Sequence, residues 1–223
     1  MDRLKFNKEQ KLLHHLILHS YDTPMALGLF DGMAGVMLVL ANYSRERNEP
    51  IVECVSDFLM EKIISHIPKD MTIGLAHGLA GIGWAIEYLI QNGYMKGCGI
   101  DLTEEIDKQI MALNIHRIKD ESLDTGSLGL AHYVLAHMQG AIQQRKFAFD
   151  QKYLDDWEEL LTINKAKNDI WKSLDHTYSC IIKGNMIYDM NPYQFCQVPK
   201  RVPMTNLGLR KGLAGYIGLH LLS

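Results

Sequence analysis

The chain has 223 residues and a mass of 25.4 kDa, enough for a sizeable core, and 47% hydrophobic with 22% charged residues excludes a disordered chain. A net charge of -3 and a pI near 6.4 exclude a surface built mainly to hold nucleic acid, which needs a basic excess. No apolar run reaches the roughly 18 residues of a membrane span, and the charged opening MDRLKFNKEQKLLHH reads as mature protein rather than a signal peptide, predicting a cytoplasmic location.

In chain order, Leu4 to Leu18 reads as a leading helix. Gly28-Leu-Phe-Asp-Gly32-Met-Ala-Gly35 follows and opens an apolar helix over Val36 to Tyr43. Ile51 to Ile67 is amphipathic, with apolar residues at 51, 52, 55, 58, 59, 63, 64 and 67. Gly74-Leu-Ala-His-Gly78-Leu-Ala-Gly81 repeats the first motif and precedes the apolar stretch Ile82 to Ile90; Leu102 to Ile118 is again amphipathic. Ser122-Leu-Asp-Thr-Gly126-Ser-Leu-Gly129 is a degenerate third copy, before Leu130 to Met138 and the amphipathic Tyr153 to Ile163. Lys183 to Leu207, with Pro192, Pro199 and Pro203, reads as a long irregular loop. Gly208-Leu-Arg-Lys-Gly212-Leu-Ala-Gly215 is the fourth copy, before Tyr216 to Leu222.

The central glycines stand at 32, 78, 126 and 212, in steps of 46, 48 and 86, as if one repeat had lost its motif. A period in the mid-forties fits a helix pair per repeat. These patterns predict a single all-α domain over residues 1–223, an α/α toroid or incomplete toroid, with the post-motif helices as a buried inner layer and the amphipathic ones outside.

Glycines three or four apart share a helix face and let another backbone approach. The same turn would expose free N–H groups at a helix start, where an anion or a polar substrate group binds. In a toroid the residues before the second glycine face a shared cavity; these are Asp31, His77, Thr125 and Lys211. If they face the same mouth, Asp31 and His77 could form an acid–base pair; the alternatives are a capping role for His77 and an Asp31–Lys211 salt bridge. His14, His15, His132 and His137 read as packing or solvated side chains. Trp84 and Tyr88, one turn apart, read as core, with the lining of a sugar or peptide cleft as the alternative. The pairs Asp155-Asp156 and Glu158-Glu159 read as a solvated face, and Cys54, Cys98, Cys180 and Cys196 as reduced thiols.

Gly74-Leu-Ala-His-Gly-Leu-Ala-Gly81 and its weaker copies at 28, 122 and 208 resemble the lanthionine synthetase C-like family. The resemblance implies an α/α toroid and, for the peptide cyclases of that family, thioether formation between a cysteine and a dehydrated serine or threonine of a ribosomally made peptide. It also implies a zinc held by two cysteines and a histidine, which lowers the thiol pKa, and a cavity lined by the residue matching His77, which makes His77, with Asp31 at the equivalent position, the candidate catalytic residues.

The family's Cys-His-Gly motif aligns here with Arg210-Lys211-Gly212, and its Trp-Cys-x-Gly context is absent. No cofactor is therefore expected; zinc stands by resemblance only, with a site rebuilt from Cys180, Cys196 and His176 or His220 as the exception. The expectation is a lanthionine synthetase C-like protein of lantibiotic-type peptide modification without zinc-dependent cyclase activity. The alternatives are a scaffold binding a peptide or partner enzyme, and a glycan-active toroid. A full toroid of that family has seven inner and seven outer helices, so this chain is short for one; an open edge would favour a homodimer.

Overall fold

A computed structural model describes residues 7–22 and 24–222. Among these the chain is all-helical, with no strand, and no helix is long and apolar enough to cross a membrane. The helices are α1 (Lys8–Asp22), α2 (Met33–Arg47), α3 (Pro50–Ser65), α4 (Leu79–Gln91), α5 (Gly99–Met111), α6 (Ser127–Gln143), α7 (Gln151–Asn164), α8 (Asp169–Ile182) and α9 (Leu213–Leu221). Single 3-10 turns add Ile115–Arg117 and Pro192–Phe195. The start of the predicted leading helix, Leu4 to Phe6, lies outside the described residues.

The chain divides into two compact units, Met1–Asp70 with Asn191–Ser223, and Met71–Met190. In the first, α2 packs against α3 and α9, and α1 lies against α9 and α2. In the second, α4 packs on α5 and α6, α6 also meets α8, and α7 pairs with α8.

The helices after the first three glycine motifs are buried almost all round, as their unbroken apolar sequences require: α2 from Met33 to Ser44, α4 from Leu79 to Leu89, α6 at most positions to Ala141. By contrast α3, α5, α7 and α8 bury one stripe each. On α7 the stripe is Tyr153, Trp157, Leu160 and Leu161, while Asp155, Glu158 and Glu159 are exposed and Asp156 is half-buried.

Their boundaries have local causes. Pro50 begins α3, where a missing N–H costs nothing. Asp150 and Asn168 cap α7 and α8 by accepting the backbone N–H three residues on. α5 ends at Met111, short of the expected Ile118, and the chain turns through Ile115–Arg117. α8 carries Trp171, Leu174, Tyr178 and Ile181 at helical spacing without a glycine motif before it.

Candidate functional site

The glycine motifs work in pairs, one pair per unit. In the first unit Arg210 N–H donates to the Phe30 carbonyl at 3.0 Å; in the second Ala76 N–H donates to the Asp124 carbonyl at 2.9 Å. Donor and acceptor are each the third residue of their motif, so the two crossings are the same joint built twice. A Cβ on Gly208 would strike the Asp31 backbone, and one on Gly74 the backbone of Asp124 and Thr125. The third motif supplies the surface that is crossed, and its first position tolerates Ser122.

The second glycine of each motif, Gly32, Gly78, Gly126 or Gly212, is the N-cap, and none of the four has a side-chain cap. The cap is backbone. Met33, Leu79, Ser127 and Leu213 donate their N–H groups to the carbonyls of Ala26, Thr72, Asp120 and Asn206 at 2.7–2.9 Å. Ala34, Ala80 and Ala214 donate in turn to Leu27, Ile73 and Leu207. The expectation of free N–H groups ready for an anion is therefore corrected in part: upstream carbonyls fold over each helix start and take at least two of its donors.

The four residues before these glycines, Asp31, His77, Thr125 and Lys211, are all exposed. Asp31 and Lys211 belong to the first unit, His77 and Thr125 to the second. Thr125 is used locally: its hydroxyl donates to Asp120 at 2.5 Å, and the Thr125 and Ser122 hydrogen bonds hold the Asp120 carboxyl below its ordinary range. Asp31 lines a groove of about 630 Å³ with His15, His19, Met25, Met204 and Asn206. The size suits a short peptide segment. His15 Nε2 bonds the Met204 carbonyl at 2.9 Å, tying α1 to the far wall.

Zinc does not fit the positions where the resemblance expects its ligands. The Arg210 guanidinium lies 4.9 Å over the Phe30 ring, and Lys211 is a second cation beside it. Cys196 donates its S–H to the Leu209 carbonyl at 3.2 Å, and burial pushes its thiol up to about 12, opposite to what a zinc thiolate requires. Cys180 has His176 Nε2 at 3.7 Å. Among the described residues no group of three His, Cys, Asp or Glu side chains is gathered to hold a metal ion.

The second unit holds a buried charged cluster. His137 on α6 stands between Glu87 of α4 and Asp107 of α5, with Nδ1 2.7 Å from Glu87 Oε1 and Nε2 3.1 Å from Asp107 Oδ2. The Nε2 contact is too bent for a hydrogen bond, so it acts through charge. Tyr133 donates to Asp107 Oδ1 at 2.5 Å and Thr103 to Oδ2 at 3.0 Å, while Gln91 donates to Glu87 Oε2 at 2.7 Å. Glu87 sits in a slot with a glycine on each side: a Cβ on Gly99 or Gly140 would overlap its carboxylate. His137, read from sequence as packing or solvation, is thus the hub of a charge cluster. Its signal was legible in part, because Glu87 is the one charged residue in LAGIGWAIEYLIQ, and a charge in a helix buried all round needs a partner.

Burial pulls the His137 pKa down from 6.5, but the close carboxylates of Asp107 and Glu87 outweigh it and raise the value to about 9. The raised value makes His137 a stabilising group below pH 6.5 and a lost one as pH climbs through about 9. The loss is about 3 kcal/mol at 1.36 kcal/mol per unit. His132 runs the other way: burial lowers it to about 4, so its contribution is full above pH 6.5 and falls away under acid. Urea unfolding from pH 4 to 10 should therefore peak near pH 6.5, and His137→Gln should flatten the alkaline limb. An alkaline limb unchanged in that variant would remove His137 as its cause.

No protein-family model, no curated protein and no solved structure matches this chain.

Proposed function

We propose that the chain is a lanthionine synthetase C-like protein, an α/α toroid or part of one, cytoplasmic, that holds a ribosomally made peptide without zinc-dependent thioether cyclisation. The observation that carries this reading is Asp31: the fourth residue of a glycine motif stands on the wall of a groove sized for a peptide segment. The interlocked motif pairs and the fully buried post-motif helices support the architecture. Arg210 and Lys211, with a Cys196 thiol kept protonated, support the absence of zinc chemistry. Asp31 is the single acid among the described residues lining the groove, which disfavours the paired-carboxylate chemistry of a glycosidase.

The test uses purified, untagged chain. Elemental mass spectrometry after incubation with excess zinc should find no stoichiometric metal; one chelatable zinc per chain, lost in Cys180→Ala or Cys196→Ala, would restore the cyclase reading. With capped heptapeptides bearing Ser, Thr and Cys as probe, Asp31→Ala should leave the fold intact and weaken binding about tenfold, the scale of one charged hydrogen bond. His77→Ala is measured beside it. Unchanged affinity in Asp31→Ala would remove the groove from function.

A further inference from the structure

After α8 the chain turns at Gly184, whose φ of 85° is a left-handed conformation suited to glycine, and runs to Met190 without helix or strand. Met186 and Ile187 on this strap are 54% and 47% exposed. The next residue, Tyr188, turns inward and is held at three points. Trp84 Nε1 donates to its hydroxyl at 3.0 Å. An indole N–H only donates, which leaves the phenol proton for His132 Nδ1, 2.8 Å away. The third point is Gln139: its Oε1 accepts the Tyr188 backbone N–H at 2.9 Å, and its Nε2 donates to the Tyr188 carbonyl at 3.1 Å.

One side-chain amide reading both backbone groups of a residue is the contact that a neighbouring strand makes, and it serves any extended chain. The amide is set in advance. Gln139 Nε2 also approaches Gln91 Oε1 at 3.3 Å, and Gln91 is fixed by Glu87 at 2.7 Å and the Ala136 carbonyl at 2.8 Å. The receiving groups Trp84, Gln91, His132 and Gln139 all belong to α4 and α6, a rigid buried pair, whereas the segment they hold is irregular and largely exposed. Rigid receptor and irregular occupant are the two halves of a recognition site.

We infer that Trp84, His132 and Gln139 form a recognition site for a tyrosine in an extended peptide segment, and that Tyr188 occupies it as an internal stand-in which a partner peptide displaces. The site lies in the second unit and stands independently of the Asp31 groove. The phenol contacts select tyrosine over phenylalanine, and the Gln139 clamp selects extended backbone. A tether of a few residues keeps Tyr188 at an effective concentration of about millimolar, so a displacing peptide competes against that.

The probe is a fluorescent hexapeptide with the sequence of residues 185–190, titrated by anisotropy into the full chain. Tyr188→Phe keeps the ring and removes both hydroxyl contacts, so the variant should bind the peptide about tenfold more tightly than the unaltered chain does. The same peptide with phenylalanine for tyrosine should bind the variant about tenfold more weakly. In the unaltered chain, excess tyrosine peptide should speed hydrogen exchange at the Tyr188 amide as the strap leaves. Equal affinity of the two chains, equal affinity of the two peptides, or a Tyr188 amide indifferent to peptide would each overturn the inference. Asp31→Ala should change none of these readouts, so failure of the groove reading and failure of this one are separable.

Discussion

Glu87→Ala is expected to lower the free energy of unfolding by about 3–5 kcal/mol, the range for removing one partner of a buried ion pair. Glu87 and His137 are both fully buried and 2.7 Å apart. Removing the carboxylate leaves an imidazole packed against Tyr133 and Phe149, with Asp107 as its remaining charge partner, and it strips Gln91 of one of its two acceptors. The slot beside Gly99 and Gly140 then stands empty, because neither glycine has a side chain to fill it. Glu87→Gln keeps the volume and costs less. The pair Glu87→Leu with His137→Leu should recover only part of the loss, since it removes the desolvation cost of both partners but leaves Asp107 buried without its cation. Urea denaturation followed by far-UV circular dichroism measures all three; a Glu87→Ala loss under 1 kcal/mol would mean that the cluster contributes little to the fold.

Gly78→Ala is expected to cost about 3 kcal/mol, at the upper end for overpacking. The cause is space. Gly78 has φ of -117°, which any residue adopts, but its Cβ would overlap the Thr72 carbonyl and the Gly74 backbone. Neither obstacle is a side chain that could swing away. Their displacement would also break the bonds from Gly78 N–H to Gly74 and from Leu79 N–H to Thr72. Gly93→Ala is the control, with φ of 68° and open space around it; its cost is conformational, about 1 kcal/mol. Equal losses at the two positions would show that the turn over the helix start gives way more easily than its geometry implies.

What could be read from sequence follows from which interactions are local. The fully buried α2, α4 and α6 and the one-sided α3 and α7 were legible because periodicity reports burial directly. α8 was missed: Trp171, Leu174, Tyr178 and Ile181 stand at helical spacing, but they lie where the repeat count had only a gap. The helix starts were misjudged because their caps are main-chain carbonyls, which leave no mark in side-chain identity. Glu87 advertised a partner without naming it: His137 is fifty residues away, and pairing across helices has no sequence period. Tyr188 was hidden for the same reason, inside a stretch whose prolines spoke only of loop.

The discontinuous make-up of the first unit has a consequence for the order in which the protein is made. Its joint between Phe30 and Arg210, and the seat of α9 on α2, use chain from both sides of the second unit. The stretch Met71–Met190 holds its own motif joint and its own charge cluster, so it has every native contact of that unit as soon as it leaves the ribosome. The helices α1 and α2 emerge before it and wait, their apolar faces without α9 until Leu213–Leu221 is made. During synthesis the stretch made before the second unit is therefore the one that stays incomplete until the stretch made after it arrives.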